Sequence, residues 1–167
     1  MGTGYFTQPS LCADRIVFVC EDDLWEVDSS GGQARRLTNS RSEIKTPYLD
    51  PSGKWIACCA KEEGDPDVYL MSADGGPLTR LTWLNSVTRI VGWTPDGSSI
   101  LFHSIHQAVH HRGSDSWLFK VGVDGGPVQR LPFGPAVSLN HQQKGDGIVL
   151  ARNSMNNSRW KRYRGGM

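Results

Sequence analysis

The sequence predicts an all-β chain assembled from repeated four-stranded antiparallel sheets. Two recurring elements carry that expectation. The first is a phrase found three times: Asp28-Ser29-Ser30-Gly31-Gly32 leading to Arg36-Leu37-Thr38, Asp74-Gly75-Gly76 leading to Arg80-Leu81-Thr82, and Asp124-Gly125-Gly126 leading to Arg130-Leu131-Pro132. Counted on the arginine, 44 residues separate Arg36 from Arg80 and 50 separate Arg80 from Arg130. A period of that size marks stacked supersecondary units, none of which buries its apolar face alone. The second element is a tight turn followed by a short apolar run, found four times.

Taken in order along one unit, each piece has its own chemistry. The turn is Asp14-Arg15, Pro51-Ser52-Gly53, Pro95-Asp96-Gly97 or Asp146-Gly147. Proline fixes φ and glycine tolerates φ > 0, which is what a tight turn needs. The runs that follow are Ile16–Val19, Ile56–Ala60, Ile100–Phe102 and Ile148–Ala151. Continuous apolar runs of this length read as strands buried on both faces. Next come Leu24–Val27, Val68–Met71 and Trp117–Val121, β-rich stretches with an aromatic near the start. The Asp-Gly-Gly turn then leads into an outer Arg-Leu-Thr strand.

With the strand before each turn, this makes four antiparallel strands per unit, the pattern of a β-propeller blade. The blades fall at roughly 5–38, 44–82 and 88–132, with a partial blade at 136–167. The expected fold is therefore an incomplete β-propeller of about three and a half four-stranded blades. Its bare end faces and edges predict association of the isolated chain.

Composition narrows the function. The chain has 167 residues, room for one ordinary domain. Hydrophobic residues at 38% and charged residues at 21% fit a globular chain rather than a disordered one. A net charge of +1 gives no reason to expect nucleic acid or a membrane surface as partner. No basic n-region precedes an apolar stretch, and Phe6 breaks the myristoylation pattern, so the expected location is cytoplasmic. Cys12, Cys20, Cys58 and Cys59 lack zinc spacing and read as small core side chains.

Catalytic chemistry is not signalled. A serine nucleophile needs a base within reach and an oxyanion hole. Ser114 and Ser116 lie near Asp115 and several histidines only as loop neighbours. His103, His106, His110 and His111 are the densest histidine group, in and beside the long segment between the second and third strands of the third unit. They read as solvated loop residues rather than ligands. Asp22-Asp23 and Asp65-Pro66-Asp67 lack the twelve-residue calcium loop and read as turn and strand-end acids. No catalytic residue, metal or cofactor is expected. The basic tail carries Arg159, Lys161, Arg162 and Arg164 interleaved with Trp160 and Tyr163, and these four cations are the candidate peptide contacts.

Three further stretches resemble a known family. Asp14–Glu26 resembles the opening of the tricorn protease family, Leu131–Ala136 its link between third and fourth blades, and Trp160-Lys161-Arg162-Tyr163-Arg164-Gly165-Gly166 its Trp-Lys-x-Tyr-Arg-Gly-Gly stretch. More broadly the repeat grammar resembles TolB-type propellers. The family resemblance implies an N-terminal six-bladed propeller in a serine peptidase whose catalytic, PDZ-like and second propeller domains lie beyond this chain. It implies a scaffold that filters or channels peptides, partnered by the rest of the peptidase or by self-association. A free-standing TolB-like interaction module and a non-functional truncated remnant are the alternatives.

Overall fold

The computed structural model describes residues 5–39, 42–107, 116–142 and 147–152. All regular structure in them is β. The first sheet holds β1 (Phe6–Cys12), β2 (Arg15–Cys20), β3 (Asp23–Asp28) and β4 (Arg35–Arg36), hydrogen-bonded in chain order. The second holds β5 (Glu43–Leu49), β6 (Trp55–Lys61), β7 (Asp67–Ser72) and β8 (Thr79–Arg80). The third holds β9 (Thr88–Trp93), β10 (Ser99–Ser104), β11 (Trp117–Gly122) and β12 (Gly125–Pro135). A two-stranded sheet of β13 (Ser138–His141) and β14 (Ile148–Ala151) follows. Every pairing is antiparallel, the meander of propeller blades.

The turns explain why the sheets repeat. In Pro51-Ser52-Gly53 and Pro95-Asp96-Gly97 the glycine has φ 71° in both copies. Its amide donates back to Asp50 O at 3.0 Å in one and to Thr94 O at 2.9 Å in the other. A side chain at that φ would be strained, so glycine closes the turn. Asp50 adds a second lock: its carboxylate accepts from the amides of Ser52, Lys54 and Trp55. Burial raises the Asp50 pKa, but these bonds and the Ser52 hydroxyl outweigh it and hold the group below its ordinary range.

Packing follows from the period-2 alternation of strands. In β6, Ile56, Cys58 and Ala60 face the first sheet, among Val17, Val19, Leu24, Tyr69 and Met71. Ala57 and Cys59 face the third sheet, among Leu70, Ile90, Ile100, Phe102 and Phe119. The neighbouring cysteines thus serve different cores, and all four thiols are unpaired. Val91, Leu101 and Leu118 of the third sheet pack on Ala136 and Leu139. The core is therefore a row of interfaces between sheets rather than one centre.

Candidate functional site at the hub

The first strands form the hub: β1 lies against β5, β5 against β9 and β9 against β13. Each of the first three has an irregular register near its middle, between Thr7 and Ser10, between Lys45 and Tyr48, and in β9 opposite Leu101 and Phe102. Gln8 and Thr46 sit at the first two bulges with φ of 54° and 47°. Left-handed backbone is costly for a β-branched threonine. Each is followed by a proline, Pro9 or Pro47, so neither bulge offers the next amide as a donor.

The strain is offset by bonds running from one sheet to the next. Thr46 N donates to Gln8 Oε1, and Ile90 N donates to Thr46 Oγ1 at 3.3 Å. Alongside, Leu49 N donates to Ser10 Oγ at 3.0 Å and Trp93 Nε1 to Tyr48 O at 3.0 Å. Each bulge side chain therefore satisfies an amide of the following blade. Lys45, Arg89 and Asn140 are exposed on these first strands, with Tyr48 on the same stretch of β5. Lys45 pairs with Glu43. Arg89 stands opposite His103 across β9 and β10. Burial, then the charge of Arg89, holds the His103 imidazole down at about 4. Its Nδ1 is buried without a hydrogen-bond partner. Exposed Gln8, Lys45, Tyr48, Arg89 and Asn140 thus give the first strands a polar character, with the Lys45 charge met by Glu43.

A second polar device recurs at the outer edge. Thr38 Oγ1 donates to Asp23 Oδ1 at 2.6 Å, Arg36 donates to Asp23 Oδ2, and Leu24 N donates to Thr38 Oγ1 at 3.0 Å. The second blade repeats it: Thr82 Oγ1 to Asp67 Oδ1 at 2.7 Å, Arg80 Nη2 to Asp67 Oδ2 at 2.5 Å, and Val68 N to Thr82 Oγ1 at 3.0 Å. This clasp is the structural reason for the Arg-Leu-Thr phrase. It holds the outer strand, and it gives Asp23 and Asp67 their places at strand starts.

The third blade breaks the clasp. Phe119 pairs with Arg130 as Trp25 does with Arg36 and Tyr69 with Arg80. Phe119 is therefore the in-register aromatic, and Trp117 occupies the place of the acid. Pro132 stands in place of the threonine. Arg130 instead lies over the Trp117 ring, 4.6 Å from its centroid, a cation–π pair in place of an ion pair.

Of the residues singled out from sequence, Ser116 is buried and its carbonyl accepts from Ala136 N at 2.9 Å. His106 lies against Phe119, centroids 4.3 Å apart. Ser114, His110 and His111 lie outside the described residues, as do Arg159, Lys161, Arg162 and Arg164. Among the described residues no three His, Cys, Asp or Glu side chains converge as a metal site. The hub cations Lys45 and Arg89 and the bulges at Gln8 and Thr46 were missed by sequence reasoning. The two X-Pro pairs inside first strands were the available signal.

The antiparallel four-stranded sheets, stacked through their first strands, define a β-propeller fold. The model of the tricorn protease N-terminal β-propeller domain matches residues 3–167, and the chain belongs to that family. Tricorn protease homolog 1 of Streptomyces coelicolor is 33% identical over 165 residues, covering 97% of this chain and 15% of that protein. A putative tricorn-like protease N-terminal subunit of Sulfurisphaera tokodaii is 27% identical over 98% of this chain and 83% of its own length. The crystal structure of the tricorn protease superposes with a TM-score of 0.72 at 26% identity, over 83% of this chain and 14% of that one. TolB from Acinetobacter baumannii shares the fold, with a TM-score of 0.66 at 18% identity over 90% of this chain and 44% of that one. The chain thus spans about a seventh of the full-length tricorn protease it resembles.

Proposed function

We propose that this chain is the N-terminal propeller portion of a tricorn-like serine peptidase. It is non-catalytic itself and serves as scaffold and as a filter or channel for peptides. The observation that carries this reading is the family match over nearly the whole chain, joined to a hub of polar and basic first-strand residues. The partners on this reading are peptides and the remainder of the peptidase. Arg159, Lys161, Arg162 and Arg164 add peptide contacts to those of the hub. Four unpaired cysteines agree with a reducing, cytoplasmic setting.

A second reading has one specific support. The Sulfurisphaera relative is described as a subunit, and this chain covers 83% of it. A separately made propeller subunit that joins a catalytic partner is the variant of the proposal this favours.

The test is a chimera. The matching stretch of the Streptomyces homolog is replaced by residues 3–167 of this chain, and hydrolysis of a fluorogenic peptide is measured. The proposal expects the chimera to retain cleavage and the isolated chain to show none. Turnover by the isolated chain that is lost in Ser114→Ala or Ser116→Ala would falsify the non-catalytic reading.

A further inference from the structure

The three outer-strand phrases continue differently. Arg36-Leu37-Thr38 runs into Asn39, Arg80-Leu81-Thr82 into Trp83, and Arg130-Leu131-Pro132 into Phe133. Phe133 packs on the core between the third sheet and β13–β14. Asn39 is polar and exposed, so a blade needs no ring at this place. Trp83 is 71% exposed, and Val87, further along the same connection to β9, is 44% exposed. This connection joins the second and third sheets, each of which is packed on both faces.

The ring is exposed but not loose. The buried Asp67 accepts from Thr82 Oγ1 at 2.7 Å and from Leu84 N at 2.9 Å, which ties down the residue on each side of Trp83. Arg80 is held by Asp67 and by the Thr82 carbonyl at 2.9 Å, and lies over the ring, 5.5 Å from its centroid. A large ring on a fixed frame loses little freedom when a ligand covers it. Beside it runs the connection between β6 and β7, where Glu62, Glu63 and Asp65 are exposed and Lys61 is the one cation. The two connections touch: a Cβ at Gly64 would meet Asn85 Oδ1 at 3.2 Å, and the charge of Glu62 acts on Arg80.

We propose that Trp83, Val87 and the carboxylates of Glu62, Glu63 and Asp65 form a docking point for extended peptides carrying lysine or arginine beside an apolar residue. The apolar residue covers Val87, and the cation sits on the exposed indole among the carboxylates. The charge of the occupant follows from the surface. Asp67 already meets Arg80, so three acids face Lys61 alone and leave the patch negative. The ring's affinity for such a group is visible within the chain, where guanidinium groups settle on tryptophan at Trp83 and again at Trp117. The patch lies outside the hub and deepens the peptide-handling role proposed above, on which it rests.

Calorimetric titration of the 167-residue chain tests this with two acetylated and amidated probes. One is Ala-Leu-Arg-Pro-Lys-Ala, and the other has glutamate at both basic positions. The chains are the natural sequence, Trp83→Asn, which installs the residue of the first blade, and the double variant Glu63→Gln/Asp65→Asn. Trp83 is exposed, so the fold is retained, which a cooperative melt checks; Trp83→Ser replaces the asparagine variant should that unfold. The basic probe is expected to bind the natural chain, and the acidic probe is not. Trp83→Asn is expected to weaken binding on the order of thirtyfold, the effect of losing an aromatic anchor. The double variant is expected to bind several-fold more weakly and with a smaller dependence on salt. Equal binding by the natural and Trp83→Asn chains overturns the proposal, as does preference for the acidic probe or no binding at all. Absent binding joined to concentration-dependent mass that Trp83→Asn abolishes would instead give the ring to a second copy. A chimera that cleaves while the chain binds no basic probe strikes this patch alone, and an inactive chimera beside intact binding strikes the peptidase reading alone.

Discussion

The first and second blades are built to one pattern and differ in what surrounds them. Ile56 and Ile16 hold the same place in the register, yet Ile56 is 0% exposed and Ile16 stays partly open. Tyr69 is 2% exposed, and its counterpart Trp25 is only partly buried and leaves its indole N–H without a partner. The second blade is covered on both faces, the first on one. A blade in this chain therefore has no core of its own. The apolar payload of each sheet is realised only against a neighbour, as expected for repeat architectures.

That comparison sets the sizes of several substitutions. The largest effect is expected at the fully enclosed position. Ile56→Ala should cost about 2–5 kcal/mol, the range for a buried aliphatic cut to alanine. Ile16→Ala should cost less than half as much, because its site is already open to water. Paired urea melts give both numbers, and equal costs would break the comparison.

The clasps come next. Asp67→Ala strands Arg80 and Thr82, and Asp67 is the more enclosed of the two acids, its side chain 1% exposed against 5% for Asp23. A loss of about 2–3 kcal/mol is expected, below the usual figure for a broken buried pair because Arg80 reaches solvent. Asp23→Ala should cost somewhat less, since Arg36 is 46% exposed against 31% for Arg80. The reverse order in the same melts would show that solvent access is not what scales the clasp.

A pH effect is expected from the third blade. His103 is held at about 4 against its ordinary 6.5, so between those values the unfolded chain binds more protons than the folded one. Stability should therefore fall as pH drops from 6.5 towards 4, with no further loss from this group below that. His103→Leu should flatten that part of the profile. A stability curve that rises on acidification through this window, and does so only with His103 present, would reverse the assignment. The smallest effect is at Arg130. Its stacking on Trp117 is worth about 0.5–1 kcal/mol, so Arg130→Ala should lower stability by no more than that.

Much of this architecture was legible in the residues. Turn chemistry at Pro51-Ser52-Gly53 and Pro95-Asp96-Gly97 and the repeated apolar runs announce antiparallel sheets because both signals are local. Cys58 and Cys59 on opposite faces follow from alternation alone. The clasp was half legible. An acid stands thirteen residues before the arginine at Asp23 and Asp67, in step with the bonds that join them. The same thirteen-residue count from Arg130 lands on Trp117, and the pairing of Phe119 with Arg130 bears out that Trp117 takes the acid's place in the third blade. The hub was not legible. Bonds such as Ile90 N to Thr46 Oγ1 join residues 44 apart in the chain, and no pattern within one strand encodes them. The basic tail shows the opposite case: its residues attract notice through charge, and their positions lie outside the described structure.

Hydrogen exchange of the natural chain tests most directly whether a blade's stability comes from its neighbours. Amides of β6 and β7 should exchange last, through global unfolding, and those of β2 and β3 measurably earlier through local opening. Protection of β2 and β3 equal to that of β6 and β7 would contradict the account, because a singly covered blade would then be as stable as a doubly covered one.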